Sequence, residues 1–414
     1  MFDPNYAAKI TLLLSKEPRF TGTPGEERAR KIIAEEFEKM GYVPQTEHFS
    51  TKIYKINKVS LESIAPYRKE YEVSAVGFSG TTPDEGVTGD LVYIENTCRA
   101  LIPEKDEWIG LVSTRPSKEE WKFLAGKASA IIIAEGNPYR HLSRVSIPYE
   151  WREKFGNLPA VYVKFDDAFE LLNVEKVRVV LEQEIVNTTA YNVVAEKRGY
   201  KYPEEIVLVT AHYDSVYGVK GAVDNAGGTA FVLALAKALS NARVKRTVRF
   251  ILFSGEELGL RGSLAYIERH KKELEDIRLV VNLDVHGGMP GFNSAIVTGP
   301  KSLSSYVESL SKNIGVNMKV NNDIMSSDGT SFAWKEIPVV NFYRSSGAGV
   351  DMHTIRDDER YIHPKAYELL GEIVYRFLVD VLNAEEFMFP KQIPDDLKKK
   401  VEEYFKKRLG IVED

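Results

Sequence analysis

The spacing of apolar residues changes character twice along the chain. Between about residues 24 and 40 it is helical, with Ala29, Ile33, Phe37 and Met40 forming one stripe. Thr23 is placed to cap this helix, Pro24 suits its first position, Glu26 completes a capping box and Gly41 ends it. From about 57 to 185 the apolar runs become short and β-like: Val73–Val76, Gly89–Tyr93, Ile109–Val112, Ala130–Ala134, Ala160–Val163 and Val177–Leu181. Turn signals such as Gly80, Pro83-Asp84 and Gly136-Asn137-Pro138 separate them, and helical stretches near 117–126 and 166–173 interrupt them.

From about 190 onward, buried strands alternate with helices. Ile206–Ala211, Thr247–Phe253, Leu279–Leu283 and Val339–Phe342 read as strands. Gly227–Leu239 reads as an amphipathic helix, with further helices at about 260–275, Leu303–Ile314 and Tyr367–Leu382. Continuous apolar strands alternating with helices predict an α/β fold whose mainly parallel sheet is covered on both faces. The tail 391–409, rich in lysine, reads as a charged surface helix. The predicted organisation is a discontinuous domain, 1–56 with 186–414, interrupted by a mostly β inserted domain at 57–185. No internal repeat is visible.

Composition narrows the function classes. At 414 residues, 43% hydrophobic and 28% charged, the chain is that of a folded protein of more than one domain. The net charge of -5 offers nothing to nucleic acid or an anionic membrane. Its single cysteine, Cys98, excludes an internal disulfide and a thiolate metal cluster, so any metal is held by histidine and carboxylate. The N-terminus lacks the pattern of a secretory signal, and no stretch of about 18 apolar residues occurs, so a cytoplasmic protein is expected.

Five segments carry chemistry: His212-Tyr213-Asp214, Val223-Asp224-Asn225, Gly255-Glu256-Glu257, Leu283-Asp284 and Met352-His353-Thr354. Each alone has an ordinary reading as a turn, a helix cap or a solvated helix start. Together they occur in order, and four follow a predicted strand or sit just past its carboxyl end, the edge that forms the ligand crevice of open α/β sheets. Asp214, Asp224, Glu256, Glu257 and Asp284 would then gather five carboxylates that repel one another. Two divalent cations would neutralise the cluster, and histidine with carboxylate suits zinc, or cobalt and manganese as substitutes.

The stretches Thr210–Ser215, Gly221–Gly228, Phe253–Ser263, Asn282–Asp284 and His353-Thr354 resemble the M28 family of zinc peptidases, which includes aminopeptidases and carboxypeptidases. The resemblance covers 190–385 and the helix near 20–42. Residues 57–185 are similar, through Leu158–Val163 and Ala128–Ile133, to the protease-associated domain that some members carry. The resemblance implies that His212 and Asp284 bind one zinc, Glu257 and His353 the other, and that Asp224 bridges both. It implies that Glu256 is the general base, that Asp214 orients the His212 ring, and that Asp357 supports His353 from a His-Thr-x-x-Asp turn. Two departures stand out. Ser327-Asp328-Gly329 replaces Ser-Asp-His or Ser-Asp-Tyr, leaving Asp328 a candidate for substrate contact. Met352 replaces the tyrosine that often precedes the last histidine, and Tyr343 is a candidate for its oxyanion role.

The expected activity is hydrolysis of N-terminal residues from peptide substrates. The alternatives are a carboxypeptidase of the same family, a single-zinc glutaminyl cyclase-like acyltransferase and a non-catalytic scaffold. Arg344 could meet a substrate carboxylate, though a structural acid is its favoured partner. His270 and His363 read as surface residues, and Trp121 and Trp151 as core or rim. His286 follows Asp284 closely enough to line the pocket. The oligomeric state is left open.

Overall fold

The computed structural model describes residues 1–104 and 107–411. They divide into two compact units. The first comprises Met1–Thr51, Thr189–Met352 and Asp357–Glu402; the second comprises Lys52–Thr188, His353–Arg356 and Glu403–Asp414. The expected boundaries near 57 and 185 differ from these by a few residues. The short segment His353–Arg356 and the end of the tail go with the second unit, whereas sequence placed both in the first. Among the described residues no helix is long and apolar enough to cross a membrane.

In the first unit the strand Tyr202–His212 lies between Arg246–Phe253 and Ile277–Leu283, both parallel to it. Ile277–Leu283 is in turn parallel to Val339–Ser346. These are the runs that read as buried strands. Sequence missed Gly291–Thr298, which pairs antiparallel with Val339–Ser346, and Met318–Asn322 beyond it. The latter has exposed and half-buried residues and so lacks the apolar signal. On the other side Arg246–Phe253 pairs antiparallel with the end of the long strand Lys176–Lys197.

The helix Gly227–Leu239 is not amphipathic in practice: every residue except Lys237 and Ala238 is buried. Its outer side is covered by the helix Pro4–Leu14, which sequence missed, and by Lys365–Asn383. The rings of Phe2 and Phe231 meet at 4.8 Å, and the Thr11 and Tyr367 hydroxyls lie 2.6 Å apart. The helix Pro24–Lys39 forms as expected with Thr23 as cap, but the capping box does not. The Glu26 carboxylate instead accepts from Tyr213 Oη and Ser254 Oγ, both at 2.7 Å, and from the Gly22 amide at 3.1 Å.

The second unit is rich in strands, as expected, but α/β in build. Val87–Tyr93, Trp108–Val112, Ala130–Ala134 and Ala160–Val163 pair in parallel. The helices Lys118–Ala125, Tyr149–Phe155 and Phe165–Leu171 intervene or follow. Trp121 and Trp151 are buried here, with ring centroids 6.2 Å apart. The tail is not merely a surface helix, because Leu397, Val401, Tyr404, Phe405 and Leu409 are buried.

The buried helix Gly227–Leu239 sits so close to the sheet that only glycine fits at its start. A Cβ on Gly228 would lie 2.3 Å from Leu283 O. Gly228→Ala should therefore cost about 1–3 kcal/mol of stability through overpacking. Urea unfolding at fixed metal content measures it, and an unchanged midpoint would refute the constraint.

Candidate metal and catalytic site

Strand register brings the chemistry together. His212, the last residue of its strand, pairs with Phe253, and Leu283 pairs with Phe342. Each strand then leaves the sheet at its carboxyl end: Phe253 into Gly255-Glu256-Glu257, and Leu283 into Asp284. Beneath this edge lies a buried polar ladder. Thr210 Oγ1 donates to Asn282 Oδ1 at 2.7 Å, and Asn282 Nδ2 donates to Ser327 Oγ at 2.9 Å and Asn341 Oδ1 at 3.0 Å.

Asp224 arrives from an irregular turn that opens with Gly221 at φ 57°, where a Cβ would stand 2.2 Å from Asp224 O. Its neighbour Asn225 does two jobs. Its Nδ2 donates to Leu283 O at 3.0 Å, tying the turn to the strand end beside Asp284, and its Oδ1 accepts from the Gly228 amide at 2.9 Å. Asn225 thus caps the helix start and also ties the Asp224 turn to the sheet. Asp357 holds the same turn, accepting from the Val223 and Asp224 amides at 2.8 and 3.1 Å. Sequence assigned Asp357 to His353; its carboxylate in fact serves the turn that carries Asp224.

His212 Nε2 lies 3.2 Å from Asp224 Oδ1 and 3.4 Å from Asp284 Oδ1. One ligand atom from each of His212, Asp224 and Glu257 falls within 4.8 Å of the others. On the other side of the ring, His212 Nδ1 is 3.4 Å from Asp214 Oδ1. Asp214 also accepts from the amides of Glu256 at 3.3 Å and Glu257 at 3.4 Å, and from Thr21 Oγ1 at 3.2 Å. One carboxylate thus stands beside the histidine ring and braces the turn bearing both glutamates. His353 stands in the second unit at φ 58°, with its carbonyl accepting from the Arg144 amide at 2.7 Å.

The electrostatics are those of an acid cluster. Burial alone would lower the pKa of His212, yet Asp284, Glu256, Asp214 and Asp224 drive it well above the ordinary histidine value. Glu256 keeps a partial opening to solvent but is largely desolvated, which raises its pKa well above the carboxylate range. His212 works against that rise, and Glu257, Asp328 and Asp284 add to it. Burial pushes Asp328 and Asp357 up to about 7. Buried Asp284 Oδ1 meets no hydrogen-bond donor. A nitrogen and several carboxylate oxygens converging with an unsatisfied buried oxygen among them fit a divalent cation such as zinc.

The remaining candidates fall on either side of this group. Asp328 is fully buried at the start of the short helix Gly329–Ala333. The Ser263 hydroxyl, paired with Ser331 Oγ at 2.9 Å, comes near it, but neither Asp328 oxygen is met in hydrogen-bonding geometry. Tyr343 is half-buried on Val339–Ser346, opposite Ser294. Among the described residues Arg344 pairs with no acid: it donates to Gly288 O at 3.1 Å, Gly291 O at 2.7 Å and Asn293 Oδ1 at 2.7 Å. His286 is a core residue, bonded to Phe342 O at 2.9 Å and pushed down to about 3 by burial. His270 is half-buried, stacked on Tyr266 and paired with Glu47 at 2.8 Å. Sequence missed Arg19 and Thr21, which stand behind the site in a stretch with no motif to mark them.

Residues 192–378, which contain this carboxyl edge, match the model of peptidase family M28. The match covers somewhat less than half of the chain, and over that stretch the chain is similar to the family. It is a metallo-exopeptidase, a hydrolase of peptide bonds. It is 26% identical to aminopeptidase YwaD of Bacillus subtilis over 94% of this chain and 86% of that one. It is 29% identical to carboxypeptidase Q of Xenopus laevis over 55% of this chain, a match spanning about half (53%) of that relative. The fold is shared with a solved zinc aminopeptidase from Bacillus subtilis at a TM-score of 0.78 and 24% identity, covering 96% of this chain and 99% of that one.

The raised carboxyls set the pH behaviour of the metal-free protein. A carboxyl whose pKa rises on folding binds its proton more tightly when folded. Its stabilising effect is complete at acid pH and is lost as pH climbs towards the folded value, here about 7 for Asp328 and Asp357. Bound cations would take the place of those protons. The Tm difference between zinc-loaded and chelator-stripped protein should therefore widen between about pH 5 and pH 7.5. Thermal melts of both forms across that range test this, and a flat or narrowing gap contradicts it.

Proposed function

We propose that this M28 peptidase is an aminopeptidase, using two zinc ions, with cobalt or manganese as substitutes, to release N-terminal residues from peptides. In this reading His212, Asp224, Glu257 and Asp284 would hold the ions, with His353 the further ligand that the resemblance implies. The ions would lower the pKa of a shared water and polarise the scissile carbonyl.

The protein's own part is proton handling and orientation. Glu256, with its pKa raised by desolvation, is suited to accept the water's proton and return it to the leaving amine. Asp214 keeps Glu256 in place through its amide and fixes the His212 ring, the usual task of a carboxylate behind a metal-bound histidine. Tyr343 is the proposed oxyanion donor.

The observation that carries the choice of peptide end is the contrast between Asp328 and Arg344. A buried carboxylate without a well-aligned donor, electrostatically coupled to Glu256, suits a substrate ammonium. A carboxypeptidase needs a cation aimed at the terminal carboxylate, and Arg344, the candidate from sequence, is engaged by Gly288, Gly291 and Asn293.

Two experiments test this reading. Free and N-acetylated forms of one peptide are compared: blocked peptides should resist cleavage, and equal cleavage of both with loss of C-terminal residues would reverse the assignment. Then the two adjacent glutamates are separated. Glu256→Gln should keep its zinc and lose about 10²–10⁴-fold in turnover. Glu257→Gln should lose zinc from one site, partly restored by excess metal. Zinc content and turnover are measured for both, and normal turnover by Glu256→Gln would sink the mechanism.

A further inference from the structure

The segment 213–221 joins His212 and Asp214 to Asp224 without forming helix or strand. Its path therefore sets the separation of these residues. Buried loop carbonyls must find donors, and here they converge on one side chain. Arg19 Nε donates to Tyr213 O at 2.7 Å, Nη2 donates to Gly221 O at 2.9 Å and Nη1 donates to Lys220 O, with a longer approach to Leu14 O at 3.5 Å. The main chain adds a second pin. The Arg19 amide donates to Ser215 Oγ at 2.9 Å, the Ser215 amide donates to Arg19 O at 3.3 Å, and Ser215 Oγ donates to Val219 O at 2.7 Å.

Arg19 is fully buried, and among the described residues its hydrogen-bond partners include no carboxylate. Burial lowers its pKa to about 10, while Asp357, Asp214 and Asp224 keep it charged at neutral pH. A buried cation is expensive, and apolar residues can often replace a buried charged group together with its partners without loss. What an apolar residue cannot do is grip both ends of one loop. The planar fork of the guanidinium, with its fixed donor directions, can.

We propose that Arg19 is a positioning residue of the metal centre, clamping both ends of the 213–221 loop so that His212 and Asp214 face Asp224 at the separation that zinc binding requires. The proposal rests on the reading that these residues hold zinc. Charge and clamp predict opposite signs. Removing a nearby positive charge would by itself strengthen cation binding, whereas losing the clamp weakens it.

The test uses full-length Arg19→Lys and Arg19→Met, stripped of metal and titrated with zinc by calorimetry, with circular dichroism to confirm folding. Both should bind zinc about 10–100-fold more weakly, as when other supports of metal ligands are removed, the Met variant more so than the Lys variant. Excess zinc should restore turnover in Arg19→Lys. Zinc affinity that is normal in Arg19→Lys or tighter than normal in Arg19→Met overturns the clamp. So does a lowered Tm with unchanged zinc affinity, because Arg19 would then serve only the fold. If Arg19→Met does not fold, Arg19→Lys and Ser215→Ala decide. Ser215→Ala removes the second pin and should also weaken zinc binding, and normal affinity in either variant overturns the proposal. Failure of the unaltered protein to bind zinc would instead refute the metal-site reading, a separate result.

Discussion

Repulsion among carboxylates that water barely reaches governs this molecule. Asp214, Asp224, Asp284, Asp328 and Asp357 are all buried at one end of a parallel sheet. At an effective dielectric near 20, two like charges about 4 Å apart repel by about 4 kcal/mol. Such a cluster persists only if other groups offset it. Backbone amides do so for Asp214 and Asp357. His212, with its raised pKa, and the Arg19 cation do so for their neighbours. What these groups leave without a hydrogen-bond donor, Asp284 Oδ1 and both oxygens of Asp328, is the part whose chemistry calls for cations, from a metal or from a substrate.

The same demand shapes the scaffold around the cluster. The carboxylates can be held only by a frame that does not yield, and the frame is tight. The Thr210–Asn282–Asn341 ladder locks three strand ends with side-chain hydrogen bonds. Asn225 ties the Asp224 turn to one of those ends. Val285, immediately after Asp284, adopts φ 62°, a left-handed conformation that costs a β-branched residue of order 1–3 kcal/mol. It is retained where its carbonyl accepts from the Arg344 amide at 2.9 Å. The buried cap of Arg344 on Gly288 and Gly291 belongs to this frame as well, which explains why a charged side chain sits there with no acid beside it.

Sequence reveals features carried by local rhythm and by rare residue types. The parallel strands were legible because each is a continuous apolar run, and the site segments because acids and histidines fall just past those runs. What escaped was set by long-range contact. Gly227–Leu239 reads as amphipathic until Pro4–Leu14 covers its outer side. Glu26 reads as a capping residue because nothing local shows Tyr213 and Ser254 arriving from about 190 and 230 residues away. Arg19 precedes a helix start in an unremarkable stretch, and only the return of the 213–221 loop gives its donors their partners. Asp357 was noticed for its spacing from His353, yet its oxygens face amides more than 130 residues earlier.

On the proposed reading, the arrangement around Asp214 joins metal binding to proton transfer. Its oxygens face the His212 ring, the Glu256 amide and the Glu257 amide. The turn that follows is closed by the amides of Gly259 and Leu260, which both donate to Glu256 O, at 2.8 and 2.9 Å. Gly255, at φ 73°, lets the chain leave the strand sharply enough for this. On such a turn successive side chains diverge, so one glutamate can face the His212–Asp224 pair while the other stays available for a proton. A shift in Asp214 would move the ring and both glutamates together. The second bond from Thr21, and the Thr21–Glu26 stretch behind it, then act as a brace for the whole site rather than as a helix cap alone.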